Sequence, residues 1–189
     1  MATANGMAFA MKRVHGKSHP IHLLIIGSAM LVSALVTSPP PVFAKSLGVH
    51  GDWSVFKTSE SDGDVCYVGA EPEKAEGDYD KRGEIYLLVT QRPGVKELDV
   101  ISIRAGYQYK KGSDASISIG AASFDFFTSE GYAWARDTAT DKAMVKAMKR
   151  GNKLVVRGAS WRGTATTDTY SLIGFTAAYK ASRAACGLK

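Results

Sequence analysis

His50, Cys66, Cys186 and two short aspartate clusters are the residues of this 189-residue chain whose types could cut a bond, hold a metal or carry electrons. Three of the four histidines precede residue 44, which leaves His50 as the only imidazole in the remainder. A serine or cysteine nucleophile needs a histidine oriented by a third group. His50 stands at the start of the remaining chain, where residues are seldom held to the geometry a catalytic base requires. Zinc would need further nitrogen or sulfur ligands, and a redox thiol pair would need Cys-x-x-Cys spacing; neither pattern occurs. Asp62-Gly63-Asp64 and Asp78-Tyr79-Asp80 bring carboxylates together without the twelve-residue ligand spacing of an EF-hand. Asp and Gly are also what turns use. Gly158, Gly163 and Gly174 fit neither a P-loop nor a dinucleotide fingerprint. The expectation is a protein with no catalytic residues, no cofactor and no metal. The alternative from another class is a hydrolase of envelope glycans or peptides acting through acids such as Asp168, since any two carboxylates can meet in a fold.

Recognition residues are easier to name. Trp53 and Trp134 lie in apolar segments and read as core, whereas Trp161 sits between Ser160 and Arg162-Gly163 at what reads as a hairpin tip. Exposed tryptophan and arginine are favoured binding anchors, so Trp161 and Arg162 are the leading candidates to contact a partner. With the turn centred on Arg162-Gly163, Arg157 is expected opposite Asp168 as a cross-strand ion pair. Lys142, Lys146 and Lys149 recur on one face of an expected helix, either a solvated face or a secondary electrostatic surface.

The residues before 45 read as an export signal. Lys12, Arg13 and Lys17 supply positive charge, Ile21 to Val36 form an apolar run, and Val42-Phe43-Ala44 fits the small-x-small pattern of a cleavage site. Pro39-Pro40-Pro41 ends the run, which is shorter than the roughly 20 residues a membrane helix needs. Met1, Met7 or Met11 would each serve as initiator. Cleavage near Ala44 predicts a periplasmic or secreted protein that meets the membrane only during export. Residues 1–44 hold three basic and no acidic residues, so the formal charge falls from +6 to +3 over the remaining 145 residues. So small a charge argues against nucleic acid as the partner. An even cysteine count in an oxidising compartment then predicts a Cys66–Cys186 disulfide.

The remaining length suits one domain, residues 45–189. Short β-prone segments cover residues 52–56, 65–70, 85–91, 98–104, 115–121, 123–127, 132–136, 154–158 and 168–175. Several alternate with period two, as in Ser116-Ile117-Ser118-Ile119. Many short strands with glycine-rich turns predict an all-β sandwich or barrel. Helices are expected over 141–150, capped by Thr140 or Asp141, and over 176–185. The polar run from Glu71 to Glu84 reads as an exposed loop.

Val155-Val156-Arg157-Gly158-Ala159-Ser160-Trp161-Arg162-Gly163-Thr164, followed by Asp168-Thr169-Tyr170-Ser171-Leu172-Ile173-Gly174-Phe175 and an alanine-rich helix, resembles the invasion-associated locus B (IalB) family. Gly51-Asp52-Trp53-Ser54-Val55 and Cys66-Tyr67-Val68 are similar to that family's opening. The resemblance implies an exported, immunoglobulin-like β-sandwich of Gram-negative bacteria, historically associated with host-cell invasion, and supplies no catalytic residues. The chain lacks a second internal cysteine pair and resembles a shorter branch. The combined expectation is a non-enzymatic binding or envelope accessory module.

Overall fold

The computed structural model describes residues 44–189; apart from Ala44, the expected export segment lies outside the described residues. The first strands, β1 (Lys45–His50), β2 (Trp53–Glu60) and β3 (Gly63–Ala70), form an antiparallel meander. β4 (Lys74–Gly77) follows, then the pair β5 (Tyr86–Arg92) and β6 (Glu97–Arg104), and a second meander of β7 (Asp114–Ile119), β8 (Ala122–Ser129) and β9 (Tyr132–Trp134). Helix α1 (Thr138–Met148), the hairpin β10 (Lys153–Ala159) and β11 (Ala165–Ser171), and helix α2 (Phe175–Ala185) complete the domain. The strands are hydrogen-bonded into one sheet of 11 strands in the order β1-β2-β3-β5-β6-β9-β8-β7-β10-β11-β4.

Alternation of apolar and polar residues gives this sheet one buried face. Trp53, Leu87, Ile101, Ile117, Phe126 and Tyr170, drawn from six strands, are fully buried in a single cluster. A sheet this long must curl to cover that face. The curl brings the start of β2 to the end of β11: Trp53 Nε1 donates to the Ser171 carbonyl at 3.0 Å, and Asp52 N to that of Ile173, just beyond, at 3.1 Å. The expected all-β, sandwich-like class with two short helices is what the chain adopts.

The helices close the remaining openings of the core. α1 begins earlier than expected because Asp137, in an extended conformation, is its cap, its side chain accepting from Thr140 N at 2.7 Å. Thr140 and Asp141 therefore lie inside the helix, and Asp141 points inward, Oδ1 accepting from Ile101 N at 3.0 Å. Met144, Val145 and Met148 join the core. α2 starts at Gly174, whose φ of +85° and close approach to the His50 carbonyl exclude a side chain. It packs Phe175 edge-on against Trp53, ring centroids 4.8 Å apart, and delivers Cys186 to β3, where the disulfide to Cys66 forms with the Cα atoms 5.9 Å apart.

Two strands were not expected. β1 and β4 are the two edges of the sheet, and their residues are mostly exposed, so neither carries the alternating apolar pattern that marks a half-buried strand. β4 corrects the reading of Glu71 to Glu84 as an exposed loop. Backbone pairing with β11, from Lys74 opposite Thr169 to Gly77 opposite Thr166, holds it in place, and the same segment buries Arg82.

Candidate binding cleft

The β10–β11 hairpin ends in a tight turn whose backbone is held on both sides. Ser160 N donates to the Thr164 carbonyl at 2.9 Å and Gly163 N to that of Ser160 at 2.8 Å. Ser160 Oγ accepts from Thr164 N at 3.2 Å. The neighbouring chain secures the outer side, with Trp161 N donating to the Gln108 carbonyl at 2.8 Å and Lys110 N to that of Ala159 at 2.9 Å. Trp161, pinned by its backbone, is 62% exposed. The Arg162 guanidinium lies over the Trp161 ring, 4.8 Å from its centroid. The expected pairing of these two residues at an exposed tip is present.

Trp161 and Arg162 form one rim of a cleft of about 610 Å³. The opposite rim is the segment Asp78 to Arg82, and Tyr107, Thr164 and Thr166 contribute to the lining. Arg82 holds that rim to the sheet. Its Nη1 and Nη2 donate to the two Asp168 carboxylate oxygens at 2.6 Å each, and Nε donates to the Ala105 carbonyl at 2.6 Å. The guanidinium lies 4.9 Å from the Tyr107 ring centroid and 5.4 Å from that of Tyr79. Tyr107 Oη and Thr166 Oγ1 share a hydrogen bond of 2.6 Å. Burial pushes the Asp168 carboxyl above its ordinary value, and the Arg82 hydrogen bonds and charge pull against it. Burial also raises the Tyr107 and Tyr109 phenols, which stay protonated as neutral hydrogen-bonding groups.

This geometry corrects the expected Arg157–Asp168 pair. The register sets Arg157 opposite Thr167 and Asp168 opposite Val156, so Asp168 faces the interior, where Arg82 meets it. An in-register hairpin counted from Ala159 opposite Ala165 leaves five residues in the turn, one more than a turn centred on Arg162-Gly163 assumes. A one-residue difference sends every side chain to the other face.

The remaining sequence candidates fall elsewhere. Lys142 and Lys146 are exposed on α1 and do not line the cleft. Lys149 Nζ sits 3.8 Å from the Tyr179 ring centroid, and burial lowers its pKa. His50 ends β1 and is absent from the cleft lining. Trp53 is core as expected, whereas Trp134 is half-buried on the outer face of the sheet. Asp64 engages Lys57 at 2.6 Å and Ser59 at 2.8 Å, and those hydrogen bonds hold its carboxyl below the ordinary value. Asp78 and Asp80 line the cleft. Among the described residues no group of three or more His, Cys, Asp or Glu is placed to hold a metal. Sequence reasoning missed Arg82, Tyr79 and Tyr107, because one arginine in a charged run carries no local sign of burial.

A disulfide-closed all-β domain with an aromatic-rimmed surface cleft is the class these features define. The family model described as Invasion associated locus B (IalB) protein matches residues 53–183, and the chain belongs to that family. The match spans the whole cleft lining. No curated protein and no solved structure matches the chain.

Proposed function

We propose that the protein is an exported, non-enzymatic binding module that acts in the periplasm or outside the cell and holds a partner of the envelope in the cleft at Trp161 and Arg162. The observation that carries this reading is the hairpin tip. A backbone fixed by hydrogen bonds on both sides presents a large, exposed aromatic side chain stacked with a cation, an arrangement that loses little entropy on binding. The cleft lining offers carboxylates, cations, hydroxyls and aromatic rings for recognition. It contains no histidine, and Ser160 Oγ is engaged with the Thr164 backbone rather than with a base. Asp168, the acid named for a hydrolase, has both oxygens taken by Arg82 and is nearly buried, which supports the binding reading over hydrolysis. Export rests on the charged, apolar and small-x-small pattern before Lys45. The Lys142 and Lys146 face would add a secondary, salt-dependent attraction.

Crosslinking of tagged protein in intact cells, followed by mass spectrometry, tests the reading against a Trp161→Ala, Arg162→Ala double variant. A partner enriched with the wild type and lost with the variant is expected. Equal enrichment with both proteins places the partner elsewhere. Fractionation with N-terminal sequencing tests export, the expected first residue being Lys45.

A further inference from the structure

The outer face of β2, β3, β5, β6 and β9 is not covered by either helix, since α1 and α2 both pack their buried residues into the core on the other side. Residues of three registers run across it. The middle register carries small residues on either side of one leucine: Ser54 pairs with Gly69, Gly69 with Leu88, and Leu88 with Ser102. A Cβ built on Gly69 would come within 2.7 Å of Leu88 Cδ2, so the Leu88 side chain lies over Gly69 and forms the apolar floor there. Trp134 opposite Ser102, and Phe127 opposite Trp134, close the far end, their ring centroids 5.7 Å apart.

Aromatic walls flank this floor. On one side Phe56 and Tyr67 stack with centroids 5.1 Å apart. On the other, Tyr86, Arg104 and Tyr132 stand opposite one another on three neighbouring strands. The two tyrosine hydroxyls meet at 3.2 Å, Arg104 Nη1 donates to Tyr86 Oη at 3.4 Å, and the guanidinium lies 5.7 and 5.8 Å from the two ring centroids. Tyr132 continues onto Trp134 at 5.4 Å. The result is a groove crossing five strands, roughly 19 Å at the usual strand spacing, with a hollow of about 530 Å³ at its β2–β3–β5 end.

We propose that this groove binds an uncharged polysaccharide chain. A pyranose ring has a flat face of C–H bonds, weakly positive, that packs on the negative face of an aromatic ring, and a rim of hydroxyls that need donors and acceptors once water is removed. The groove supplies both. Its rings line the walls, while Ser54, Ser102, the tyrosine hydroxyls and Arg104 stand between them. Charge separates this occupant from the other polymer that stacks on aromatic sheet faces, single-stranded nucleic acid. That ligand requires a basic track for its phosphates. Here Asp52 and Glu71 line the hollow, and Glu84 lies 3.6 Å from Arg104, so carboxylates outnumber the one guanidinium. Carboxylates repel phosphate but accept strongly from sugar hydroxyls. An apolar peptide would leave these polar groups unpaired.

Isothermal titration calorimetry with cellohexaose, chitohexaose and laminarihexaose, using the protein as purified from cells, tests the proposal. Saturable binding of at least one is expected, weakened about 10-fold or more by Tyr67→Ala, Tyr132→Ala, in line with the loss of two stacked rings. Tyr132→Phe, which keeps the ring, should retain affinity within about 3-fold, and Gly69→Val, which would push the Leu88 side chain off Gly69 into the groove, should lose it. Trp161→Ala, Arg162→Ala should bind as the wild type does, which separates this groove from the cleft. Near-UV circular dichroism confirms that each variant is folded. No saturable heat with any of the three sugars overturns the proposal, as does equal affinity in the Tyr67→Ala, Tyr132→Ala variant or tighter binding of oligo(dT) than of sugar.

Discussion

The Arg82 guanidinium and the Asp168 carboxylate meet in two hydrogen bonds of 2.6 Å, with side chains only 4% and 3% exposed. They join the segment between β3 and β5 to the far end of the sheet. Removing one partner leaves the other charged, buried and alone, which costs about 3–5 kcal/mol. Asp168→Asn and Arg82→Met are each expected to lower stability by that order in urea titrations. The double variant Arg82→Met, Asp168→Leu should lose clearly less than the two singles combined. Additive losses would show that the pair does not act as a unit.

Reduction of Cys66–Cys186 opens a loop with a sequence separation of 120. Chain entropy places the stabilisation at about 5 kcal/mol for such a loop, and native strain or residual unfolded structure lowers it. Cys66→Ser, Cys186→Ser should therefore shift the urea midpoint strongly downward, and a reducing agent should leave the variant unaffected while destabilising the wild type toward it.

Asp141 introduces a pH dependence of definite sign. Burial, together with repulsion from Asp99 and Asp137, pushes its carboxyl up to about 6 despite the opposing hydrogen bond from Ile101 N. In the unfolded chain an aspartate titrates near 4. Between these values the folded state holds the proton and the unfolded state releases it, so the stability this group contributes is present below about pH 4 and is lost as pH rises through 6. Asp141→Asn keeps an acceptor for Ile101 N without the charge. The variant should gain stability relative to wild type across that window and hold a constant difference above it. A difference that does not change with pH would show that Asp141 titrates normally.

Gly158 in β10 lies directly beneath two tyrosines. A Cβ there would stand 2.7 Å from Tyr109 Cε1 and 2.8 Å from Tyr107 Oη. Gly158→Ala should force both rings to move, at a cost of about 1–3 kcal/mol. Because Tyr107 lines the cleft, the same variant should reduce partner capture in the crosslinking experiment.

The strands that bury one face were legible because their side chains alternate, as in Ile117 and Ile119 or Ile101 and Ile103. β1 and β4 were not, since an edge strand of exposed residues such as Lys74-Ala75-Glu76-Gly77 is held by backbone pairing that leaves no mark on residue type. The exposed tip at Trp161 and Arg162 could be read from an aromatic set among turn residues. Arg82 could not, because its environment comes from Asp168, 86 residues away. The outer aromatic groove was equally hidden. Phe56, Tyr67, Tyr86, Tyr132 and Trp134 lie on four strands, and only the register reveals that they stand side by side.

The excursion between β3 and β5 also implies an order of assembly. β5 returns to pair with β3, Leu87 opposite Ala70, so these two strands and β6 can associate as a local unit. The chain between them reaches to β11 instead, with Glu73 N donating to the Thr169 carbonyl at 2.7 Å. That contact has no counterpart until β10 and β11 have formed their own hairpin. Residues 71–84 are therefore expected to dock after that hairpin, as a latch. Losing Asp168 should quicken unfolding and leave the folding rate almost unchanged. Stopped-flow unfolding and refolding of Asp168→Asn check this: a faster unfolding limb with an unchanged folding limb would show that the lifetime of the folded domain, rather than the speed with which it is reached, rests on that latch.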